Sequence, residues 1–347
     1  MNLNYFDQLK KCYLIAEIGV NHNGDTELAK EMILEAKNAG ADAVKFQTFT
    51  ADSLVTRNTP KVDYQKNTTL SEESHFEMIR RLELGKRQHV VLFDYCASIG
   101  IDFISTPYDI ESARFLNGMG VKLFKTASAD IVDLPLQEYI ASTGKPALVA
   151  TGMANLGEVE QVVNIYCEQN NQNLLLMHCV SNYPCSDVAL NLRAMNTLAS
   201  AFCKPVGYSD HSEGFLAAAL SIALGAKVIE KHFTLDNNMA GPDHMASSTP
   251  ADFKKLVRHV RRSEVMLGNA KKAMQPEETQ MASVSRKSLV LAHEINKGKI
   301  ITQDDLRLMR PGTGIGANFI RSIVGRRAIR DLEALHQLKW SDLEEQG

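Results

Sequence analysis

The sequence of 347 residues has no marked excess of charge of either sign. Lysine and arginine together number 38, aspartate and glutamate number 41, and the formal net charge is −3. Without a basic field, the chain is poorly suited to hold nucleic acid or an anionic membrane surface by charge, so we expect neither as a partner. The charge of an anionic substrate must then be neutralised locally, by individual lysines or by a metal ion.

Long apolar runs are also missing. No segment approaches the ~20 apolar residues that a bilayer-spanning helix needs. The N-terminal segment MNLNYFDQLKKCYLIAEIG differs from a signal peptide, because Glu17 interrupts its apolar run and no small-residue cleavage site follows. We therefore expect a soluble, cytoplasmic protein.

The six cysteines form no metal-binding or disulfide pattern. None of them belongs to a Cys-x-x-Cys pair, and Cys179 and Cys185 have no second pair with the spacing of a zinc site. The remaining interpretation is that they are reduced thiols, buried or partly buried, in a cytosolic protein.

Short β-type runs alternate with longer helical patterns up to residue 267. The predicted strands cover residues 13–18, 43–48, 101–106, 121–127, 146–151, 174–180, 205–209 and 226–233. The predicted helices cover residues 26–39, 72–99 in two pieces, 110–118, 133–142, 155–169, 190–202, 213–224 and 250–267. Eight strand–helix repeats in strict alternation predict an α/β fold with a parallel sheet inside, the (β/α)8 or TIM barrel.

A doubly wound open sheet is the alternative architecture. That fold usually carries a glycine-rich phosphate-binding loop after its first strand. Here the first strand leads into GVNHNG (19–24), which matches neither GxGxxG nor the P-loop pattern. The missing loop and the count of eight units favour the barrel.

The character of the sequence changes near residue 268. Residues 268–284 are polar and have the composition of a linker. The predicted catalytic domain covers residues 1–280 and includes the barrel and the linker from about residue 268. Residues 285–347 carry short alternating runs, SLVLA (288–292) and IVGRRAI (323–329), and the turn-forming sequence Arg310-Pro311-Gly312. They predict a small, separate domain that contains β-structure.

Polar residues interrupt the predicted strands near their C-terminal ends, where barrel enzymes build their active sites. Because side chains alternate along a strand, Lys45 and Gln47 lie on the same face of the second predicted strand. On the eighth predicted strand, Glu230 and His232 lie on one face and Lys231 lies on the opposite face. The candidate site residues at or just after the strand ends are Glu17, Lys45, Gln47, Thr106, Lys125, Thr151, Ser181, Tyr183, Ser209, His211, Glu230, His232 and Asp243. Thr106 or Thr151 taken alone would be interpreted as a hydrogen-bonded structural residue.

Two histidines at neighbouring strand ends indicate a metal site. His211 ends the seventh predicted strand and His232 the eighth, so both imidazoles can reach one ion. Two nitrogen ligands without thiolates leave room for water and substrate oxygens, which favours Mn²⁺ or Mg²⁺ over a closed zinc site. Such an ion would act as a Lewis acid on a carbonyl group.

Lys45 and Lys125 project into the same mouth and allow two interpretations. One lysine can form a Schiff base with a carbonyl substrate, as in a class I aldolase. Alternatively, both can hold phosphate and carboxylate groups as point charges. A metal site already supplies carbonyl activation, so we favour the second role, with Ser209 as a further phosphate contact near strands seven and eight.

The sequence closely resembles the sialic acid synthase family, which makes nine-carbon nonulosonic acids. The matching stretches are AEIGVNHNGD (16–25), AVKFQTF (43–49), FISTPYD (103–109), FKTASAD (124–130), ATGMANLGE (150–158), HCVSNYP (178–184), GYSDHSEG (207–214), VIEKHFTLD (228–236), GPDHMAS (241–247) and RPGTGI (310–315). The resemblance implies a barrel followed by an antifreeze-like (SAF) domain, in a domain-swapped homodimer. It also implies condensation of phosphoenolpyruvate with an N-acylated mannosamine-type sugar, here N-acetylmannosamine giving N-acetylneuraminate.

The same resemblance implies roles for individual residues. The metal ligands match His211 and His232. The phosphoenolpyruvate contacts match Lys45, Lys125, Ser128, Ser209 and the loop near Tyr183. Residues near the sugar and the reacting carbons match Glu17, Gln47, Glu230 and Asp243. An arginine that the partner's SAF domain offers to the sugar's acyl group matches Arg310.

Some positions depart from the family pattern and leave the acceptor sugar open. The family often has Ser-Gly-Glu where this chain has Ser128-Ala129-Asp130, so Asp130 is one methylene shorter as a substrate contact. Ala150 replaces a serine of some members, and Ser181 an asparagine or threonine. The alternative product is legionaminic acid, from a 2,4-diacetamido-trideoxy sugar. Three more distant functions compete with these two: a synthase of eight-carbon acids, a Schiff-base aldolase and a non-catalytic sugar-binding protein.

Overall fold

The computed structural model describes residues 4–62, 65, 68–69 and 72–344. Residues 1–3 and 345–347, the outer ends of the two predicted domains, lie outside this part. The chain divides into two compact units, Met1–Gly268 and Asn269–Gly347. Among the described residues, none of the helices combines the length and the apolar character needed to cross a membrane.

The first unit contains eight parallel strands. They are β1 (Tyr13–Gly19), β2 (Ala43–Thr48), β3 (Asp102–Pro107), β4 (Phe124–Thr126), β5 (Ala147–Ala150), β6 (Leu174–His178), β7 (Val206–Asp210) and β8 (Val228–His232). They pair in the order β3-β2-β1-β8-β7-β6-β5-β4, and β4 lies beside β3, so the sheet nearly closes and the predicted barrel is confirmed. β4 is shorter than the predicted strand 121–127, because its ladder hydrogen bonds connect it only to β5.

Helices surround this sheet. They are α1 (Thr26–Ala39), α2 (Ala51–Leu54), α3 (His75–Arg81), α4 (Lys86–Ile99), α5 (Ile110–Met119), α6 (Leu134–Ser142), α7 (Leu156–Glu168), α8 (Ala194–Phe202), α9 (Leu216–Ala223) and α10 (Pro250–Leu267). Asp25 caps α1 by accepting hydrogen bonds from two backbone N–H groups, and Gly40 ends it with φ 97°. α8 begins four residues later than predicted, because residues 190–193 form turns in which Asn191 has φ 43°.

The expectation that all six cysteines are buried or partly buried is wrong for two of them. Cys12, Cys96, Cys179 and Cys185 are buried, but Cys167 on α7 and Cys203 after α8 are exposed. Both exposed thiols lie near the C-terminal ends of helices, on the solvent side of the barrel's outer layer.

The inner face of the barrel changes character along its axis. Towards the amino ends of the strands it is apolar, and Phe6 from the 3₁₀ helix Tyr5–Gln8 packs into it. The apolar layers contain Ile15, Ala43, Ile104, Leu123, Leu148, Leu175, Met177 and Val228. Each of these side chains except that of Ala43 contributes about 1.5–3 kcal/mol when fully buried. On five strands the next inward position is polar: Glu17, Lys45, Thr106, Lys125 and Glu230. Packed apolar layers therefore support a charged layer at the carboxyl ends.

β7 and β8 also carry charges on their outer faces. Lys231 Nζ donates hydrogen bonds to Asp210 Oδ2 at 2.8 Å and to the carbonyl oxygen of Ser212 at 2.6 Å. Asp210 Oδ1 accepts from the Tyr208 hydroxyl and from the backbone and hydroxyl of Ser212. All four side chains are buried. Lys231 thus points away from the interior of the barrel, as strand periodicity predicts. It forms a hydrogen-bonded ion pair with Asp210, and buried charges are tolerated when they are paired in this way.

The second unit is a small fold around an antiparallel pair. It contains α11 (Thr279–Ser285), β9 (Ser288–Leu291), β10 (Leu306–Met309) and α12 (Ile320–Ile323), and its core includes Leu289, Leu291, Ile301, Ile323 and Leu338. Two expectations need correction. The predicted linker 268–284 includes most of α11. The run 323–329 makes only isolated bridges, Ile300 with Arg327 and Ala328 with Leu343, because Gly325 has φ 96° and interrupts an extended conformation.

Two buried carboxylates anchor loops in this unit. Asp305 accepts hydrogen bonds from Lys299 and from the backbone and hydroxyl of Thr302, and Asp342 accepts one from His336 at 2.8 Å. Burial alone would raise both pKa values. The hydrogen bonds outweigh it, chiefly that from Lys299 to Asp305 and that from His336 to Asp342, and hold both pKa values below the ordinary range.

Acidification is therefore expected to destabilise the second unit. With both pKa values lower in the folded state, the stabilisation is present above pH about 4 and is lost as the pH falls through the folded-state values. Trp340 is the only tryptophan of the sequence and lies in the same 3₁₀ helix as Asp342, so its emission reports on this unit. The urea midpoint from Trp340 emission should be lower near pH 3 than near pH 6. The Asp342→Asn substitution should lower the urea midpoint near pH 6. Equal midpoints of the wild-type and Asp342→Asn proteins at this pH would contradict the prediction.

Candidate active site

A cavity of ≈ 650 Å³ opens at the carboxyl ends of the barrel strands. It brings together most of the residues that the sequence predicts for the site. These are Glu17, Lys45, Gln47, Thr106, Lys125, Ser128, Ser181, Tyr183, Ser209, His211, Glu230, His232 and Asp243. They meet because parallel strands end at one edge: Glu17 lies opposite Lys45 in the β1–β2 ladder and opposite His232 in the β1–β8 ladder.

Two predicted residues of the first unit do not belong to this lining. The Thr151 hydroxyl donates to the carbonyl oxygen of Met177, which is the structural role considered for it from the sequence. Asp130 lies in the 3₁₀ turn Ser128–Val132, and the chain turns away from the cavity after Ala129. Burial raises the pKa of Asp130 to about 7. Arg310 belongs to the second unit, where a cis peptide bond joins it to Pro311.

Lys45 lies at the centre of the charged layer. Its Nζ is 2.6 Å from Glu17 Oε2 and 3.8 Å from Glu230 Oε1, and it donates to Thr106 Oγ1 at 3.0 Å. Burial alone would lower its pKa, but the two carboxylates raise it above the ordinary value. Lys45 is therefore a fixed positive charge on the cavity wall.

The two glutamates of the charged layer have pKa values shifted in opposite directions. Burial raises the pKa of Glu17, and the Lys45 ammonium only partly offsets it. Burial also disfavours the ionised form of Glu230, but Lys125 at 3.4 Å and Lys45 outweigh it and lower its pKa. Two carboxyl groups with pKa values moved apart suit different roles: Glu230 stays ionised, while Glu17 can exchange a proton near neutral pH.

His211 and His232 present ring nitrogens to the same cavity. The His211 Nδ1–H donates to the carbonyl oxygen of Val180 at 2.7 Å, so the lone pair is on Nε2. His232 Nδ1 is buried and has no hydrogen-bond partner among the described residues. The ring centroids are 5.7 Å apart, and the ring of Tyr183 lies 4.2 Å from His211. Burial lowers the pKa of both imidazoles, which favours the neutral form that ligates metals.

These two nitrogens fit an open metal site. A buried ring nitrogen without a hydrogen-bond partner is typical of metal-ligating histidines, and so is a ring whose other nitrogen donates to a backbone carbonyl group. In the part of the chain that the structure describes, no three or more His, Cys, Asp or Glu side chains lie close enough together to hold a metal ion. A bound ion would therefore complete its coordination with water or substrate oxygens.

A polar niche surrounds Gly152, just after β5. The Gly152 N–H donates to Ser128 Oγ at 3.1 Å, and Ser128 Oγ is 3.0 Å from Cys179 Sγ. A Cβ atom at position 152 would lie 2.5 Å from Ser181 Oγ and 2.7 Å from Ser128 Oγ, so a side chain does not fit. Glycine here lets a backbone N–H and two hydroxyl groups meet at the wall of the cavity.

The cavity also has residues that strand-end reasoning does not reach. The Tyr108 hydroxyl donates to Gln47 Oε1 at 3.2 Å, and Gln47 Nε2 donates to Glu17 Oε1 at 3.2 Å, so a polar chain runs outward from the charged layer. One group of apolar lining residues consists of Val20, Phe49, Leu54, Met78, Ile79 and Leu82. Val20 follows β1, and the other five come from α2, α3 and the residues beside these helices.

The fold and cavity define a class: a parallel-barrel enzyme with a charged site at the carboxyl ends of its strands. Residues 32–272 match the NeuB family and residues 286–344 match the SAF domain. The chain belongs to the NeuB family of nonulosonic acid synthases, with a C-terminal SAF domain, and the resemblance seen in the sequence is confirmed.

Three similar proteins illustrate the family. The N,N'-diacetyllegionaminic acid synthase of Legionella pneumophila is 44% identical over 337 residues, which cover 96% of this chain and 95% of that protein. The enzyme of the same name from Campylobacter jejuni is 42% identical, covering 93% of this chain and 97% of that protein. A crystal structure of N-acetylneuraminic acid synthetase from Leptospira borgpetersenii superposes with a TM-score of 0.71 at 34% identity, covering 78% and 90% of the two chains.

Proposed function

We propose that this enzyme condenses phosphoenolpyruvate with an N-acylated mannosamine-type sugar, releasing phosphate and forming a nonulosonic acid. One observation carries the proposal: two lysines, two glutamates with opposite pKa shifts and two neutral imidazoles share one cavity. Phosphoenolpyruvate carries phosphate and carboxylate groups, which suit two fixed ammonium groups. A protein that only binds sugars has no need of this combination.

The acceptor that we propose is 2,4-diacetamido-2,4,6-trideoxymannose, which gives N,N'-diacetyllegionaminic acid. Support comes from the names and similarity of the relatives: the legionaminic acid synthases are 44% and 42% identical, the sialic acid synthetase 34%. N-acetylmannosamine, the acceptor expected from the sequence, is the second candidate and is favoured by the Leptospira structure.

In the proposed reaction, C3 of phosphoenolpyruvate bonds to the aldehyde carbon of the open-chain sugar, and the aldehyde oxygen becomes a hydroxyl group. Water adds to C2, which then carries a hydroxyl group and the phosphate. The bond between C2 and the phosphate oxygen breaks, the C2 hydroxyl becomes the carbonyl group, and its proton leaves with the phosphate. Lys45, Lys125 and Ser209 bind the phosphate and stabilise its departing charge. Ser128 in the Gly152 niche adds a neutral hydrogen-bonding group.

The two glutamates have separate parts in this scheme. Glu17, with its raised pKa, accepts the proton that water loses on adding to C2 and passes it to the former aldehyde oxygen. Glu230 stays ionised and stabilises the positive charge that develops at C2. Gln47 and Asp243 border the same space and orient the sugar. We propose that His211 and His232 hold Mn²⁺ or Mg²⁺; when bound, the ion supplies polarisation of the acceptor's carbonyl group.

Phosphate release with a panel of acceptors tests the proposal. Purified enzyme with phosphoenolpyruvate and Mn²⁺ should release phosphate only when a suitable acceptor is added, and most rapidly with the 2,4-diacetamido sugar. With ¹⁸O in the bridging position of phosphoenolpyruvate, the label should appear in phosphate. Label in the sugar would contradict C–O cleavage, and no release with any acceptor would favour a non-catalytic sugar-binding protein. Borohydride trapping of pyruvate would instead indicate a Schiff-base aldolase.

We also propose the domain-swapped homodimer that the family resemblance implies, with Arg310 of one protomer completing the cavity of its partner. Lys125→Met and Arg310→Ala proteins should each have low activity. Co-expression should restore roughly a quarter of wild-type activity, because half of the dimers are mixed and each mixed dimer has one intact cavity. Absence of restoration in verified mixed dimers would contradict the exchange.

A further inference from the structure

The hydrogen bonds from Tyr108 through Gln47 to Glu17 form a polar chain along the cavity wall. The Tyr108 hydroxyl donates to Gln47 Oε1, and Gln47 Nε2 donates to Glu17 Oε1, each at 3.2 Å. All three side chains line the cavity. An ionised carboxylate can only accept hydrogen bonds, so Nε2 of the amide must face Glu17 and Oε1 must face Tyr108. The direction of donation is therefore inward, towards the charged layer.

The outer end of this polar chain, the Tyr108 ring, is held in place by the fold. Tyr108 directly follows β3, and its backbone N–H donates to the carbonyl oxygen of Thr48, the last residue of β2, at 3.2 Å. Its ring packs edge to face on the ring of Phe49, with centroids 5.8 Å apart. Because backbone and ring are both restrained, the hydroxyl meets Gln47 with little further loss of side-chain entropy.

The inner end of the polar chain lies against Gly19, the last residue of β1. Gly19 has φ 56°, and a Cβ atom at this position would lie 3.0 Å from Glu17 Oε1 and 3.2 Å from Gln47 Nε2. A side chain here would therefore crowd the contact between the amide and the carboxylate. Glu17 Oε2 lies 2.6 Å from Lys45 Nζ, so Lys45 restrains one oxygen of the carboxyl group and Gln47 the other.

We infer that Tyr108 is a positioning residue: through Gln47 it holds the Glu17 carboxyl group, and the amide that borders the acceptor, in the geometry of the reaction. This inference rests on the proposed function, in which Glu17 transfers a proton and Gln47 orients the sugar. Tyr108 itself takes no part in bond making. The last torsion of a glutamine side chain has only a broad preference, so without the hydroxyl Nε2 would point at Glu17 for a smaller fraction of the time.

The Tyr108→Phe substitution tests this role, because it removes the hydroxyl group and keeps the ring that packs on Phe49. We expect kcat to fall about three- to tenfold, the effect of losing one neutral hydrogen bond. KM for phosphoenolpyruvate should stay at the wild-type value, because Lys125 and Ser209, which we propose as phosphate contacts, do not belong to the polar chain. Steady-state kinetics of phosphate release give both constants.

A double-mutant cycle with Gln47→Leu separates positioning from a general effect on packing. Gln47→Leu removes the amide through which Tyr108 acts. In that background, Tyr108→Phe should change kcat by less than about a factor of two. If Tyr108 acts independently of Gln47, the losses of the two single variants multiply, and this result would overturn the inference.

Tyr13→Phe is the matched control, because it also removes a single hydrogen-bonded hydroxyl group. Tyr13 begins β1 outside the cavity lining, and its hydroxyl donates to Asp102 Oδ2 at 2.8 Å. The substitution should lower the urea midpoint and leave kcat and KM unchanged. Wild-type kcat in Tyr108→Phe, or a loss equal to that in Tyr13→Phe, overturns the positioning role while phosphate release by the wild-type enzyme still supports the proposed function. No phosphate release by the wild-type enzyme with any acceptor overturns the proposed function, and the positioning role with it.

Discussion

Lys125→Met is expected to lower kcat/KM for phosphoenolpyruvate by about three orders of magnitude. The substitution keeps most of the side-chain volume but removes a buried ammonium group 3.4 Å from Glu230 Oε1. Glu230 would then keep only the more distant Lys45, at 3.8 Å, to balance its charge. The phosphate would lose a binding group as well, so KM should rise and kcat should fall together. Steady-state kinetics of phosphate release measure both.

Lys122→Met is the control for this substitution. Lys122 precedes β4 by two residues, but its side chain is exposed and pairs with Asp102 outside the cavity. Exposed ion pairs contribute little, so kcat/KM should stay within about a factor of two of wild type. Near wild-type activity in Lys125→Met would exclude this lysine from the charged site. Equal losses of kcat/KM in both variants would indicate that the substitutions disturb β4, and would not support a role for the charge of Lys125.

His232→Gln is expected to weaken Mn²⁺ binding by on the order of a hundredfold or more, because loss of outer-shell partners alone costs ten- to a hundredfold. His211 would be the one remaining imidazole of the proposed pair. The free Mn²⁺ signal in electron paramagnetic resonance titrations measures affinity without requiring turnover. Activity should fall in parallel and should recover partly at high Mn²⁺.

His178→Gln separates metal binding from packing. His178 also ends a barrel strand, but its Nε2–H donates to the carbonyl oxygen of Leu190, and its ring stacks on Tyr208 outside the cavity lining. Its replacement should lower stability and leave Mn²⁺ affinity unchanged. Unaltered Mn²⁺ binding in His232→Gln, or activity of metal-free enzyme equal to that of the loaded enzyme, would contradict the metal role.

Much of the barrel follows from local sequence. α1 has the predicted bounds because a capping aspartate and a left-handed glycine mark its ends. The bounds of β2 are also those predicted, although Lys45 and Gln47 interrupt its apolar residues. The charged layer is equally accessible from the sequence. Once Glu17, Lys45 and Glu230 are placed at strand ends, parallel topology requires them to meet.

The rest of the cavity depends on tertiary contacts that leave no periodic pattern. Leu54 and Ile79 belong to short helices between β2 and β3, and only the packing of those helices over the barrel mouth makes them lining residues. Asp130 illustrates the opposite case. It stands only two residues after Ser128 in a matching motif, yet a 3₁₀ turn carries it away from the cavity.

The outward ion pair between Lys231 and Asp210 has a consequence for how this enzyme can evolve. In β8, the side chains of Glu230 and His232 face the cavity and that of Lys231 faces outward. A one-residue insertion or deletion in this strand would therefore reverse the direction of all three side chains. The lysine would then face the cavity, and the Glu230 carboxylate would lie against the surrounding helices without a positively charged partner. Changes in length are therefore tolerable in the loops and in α2 and α3, but not at this strand end.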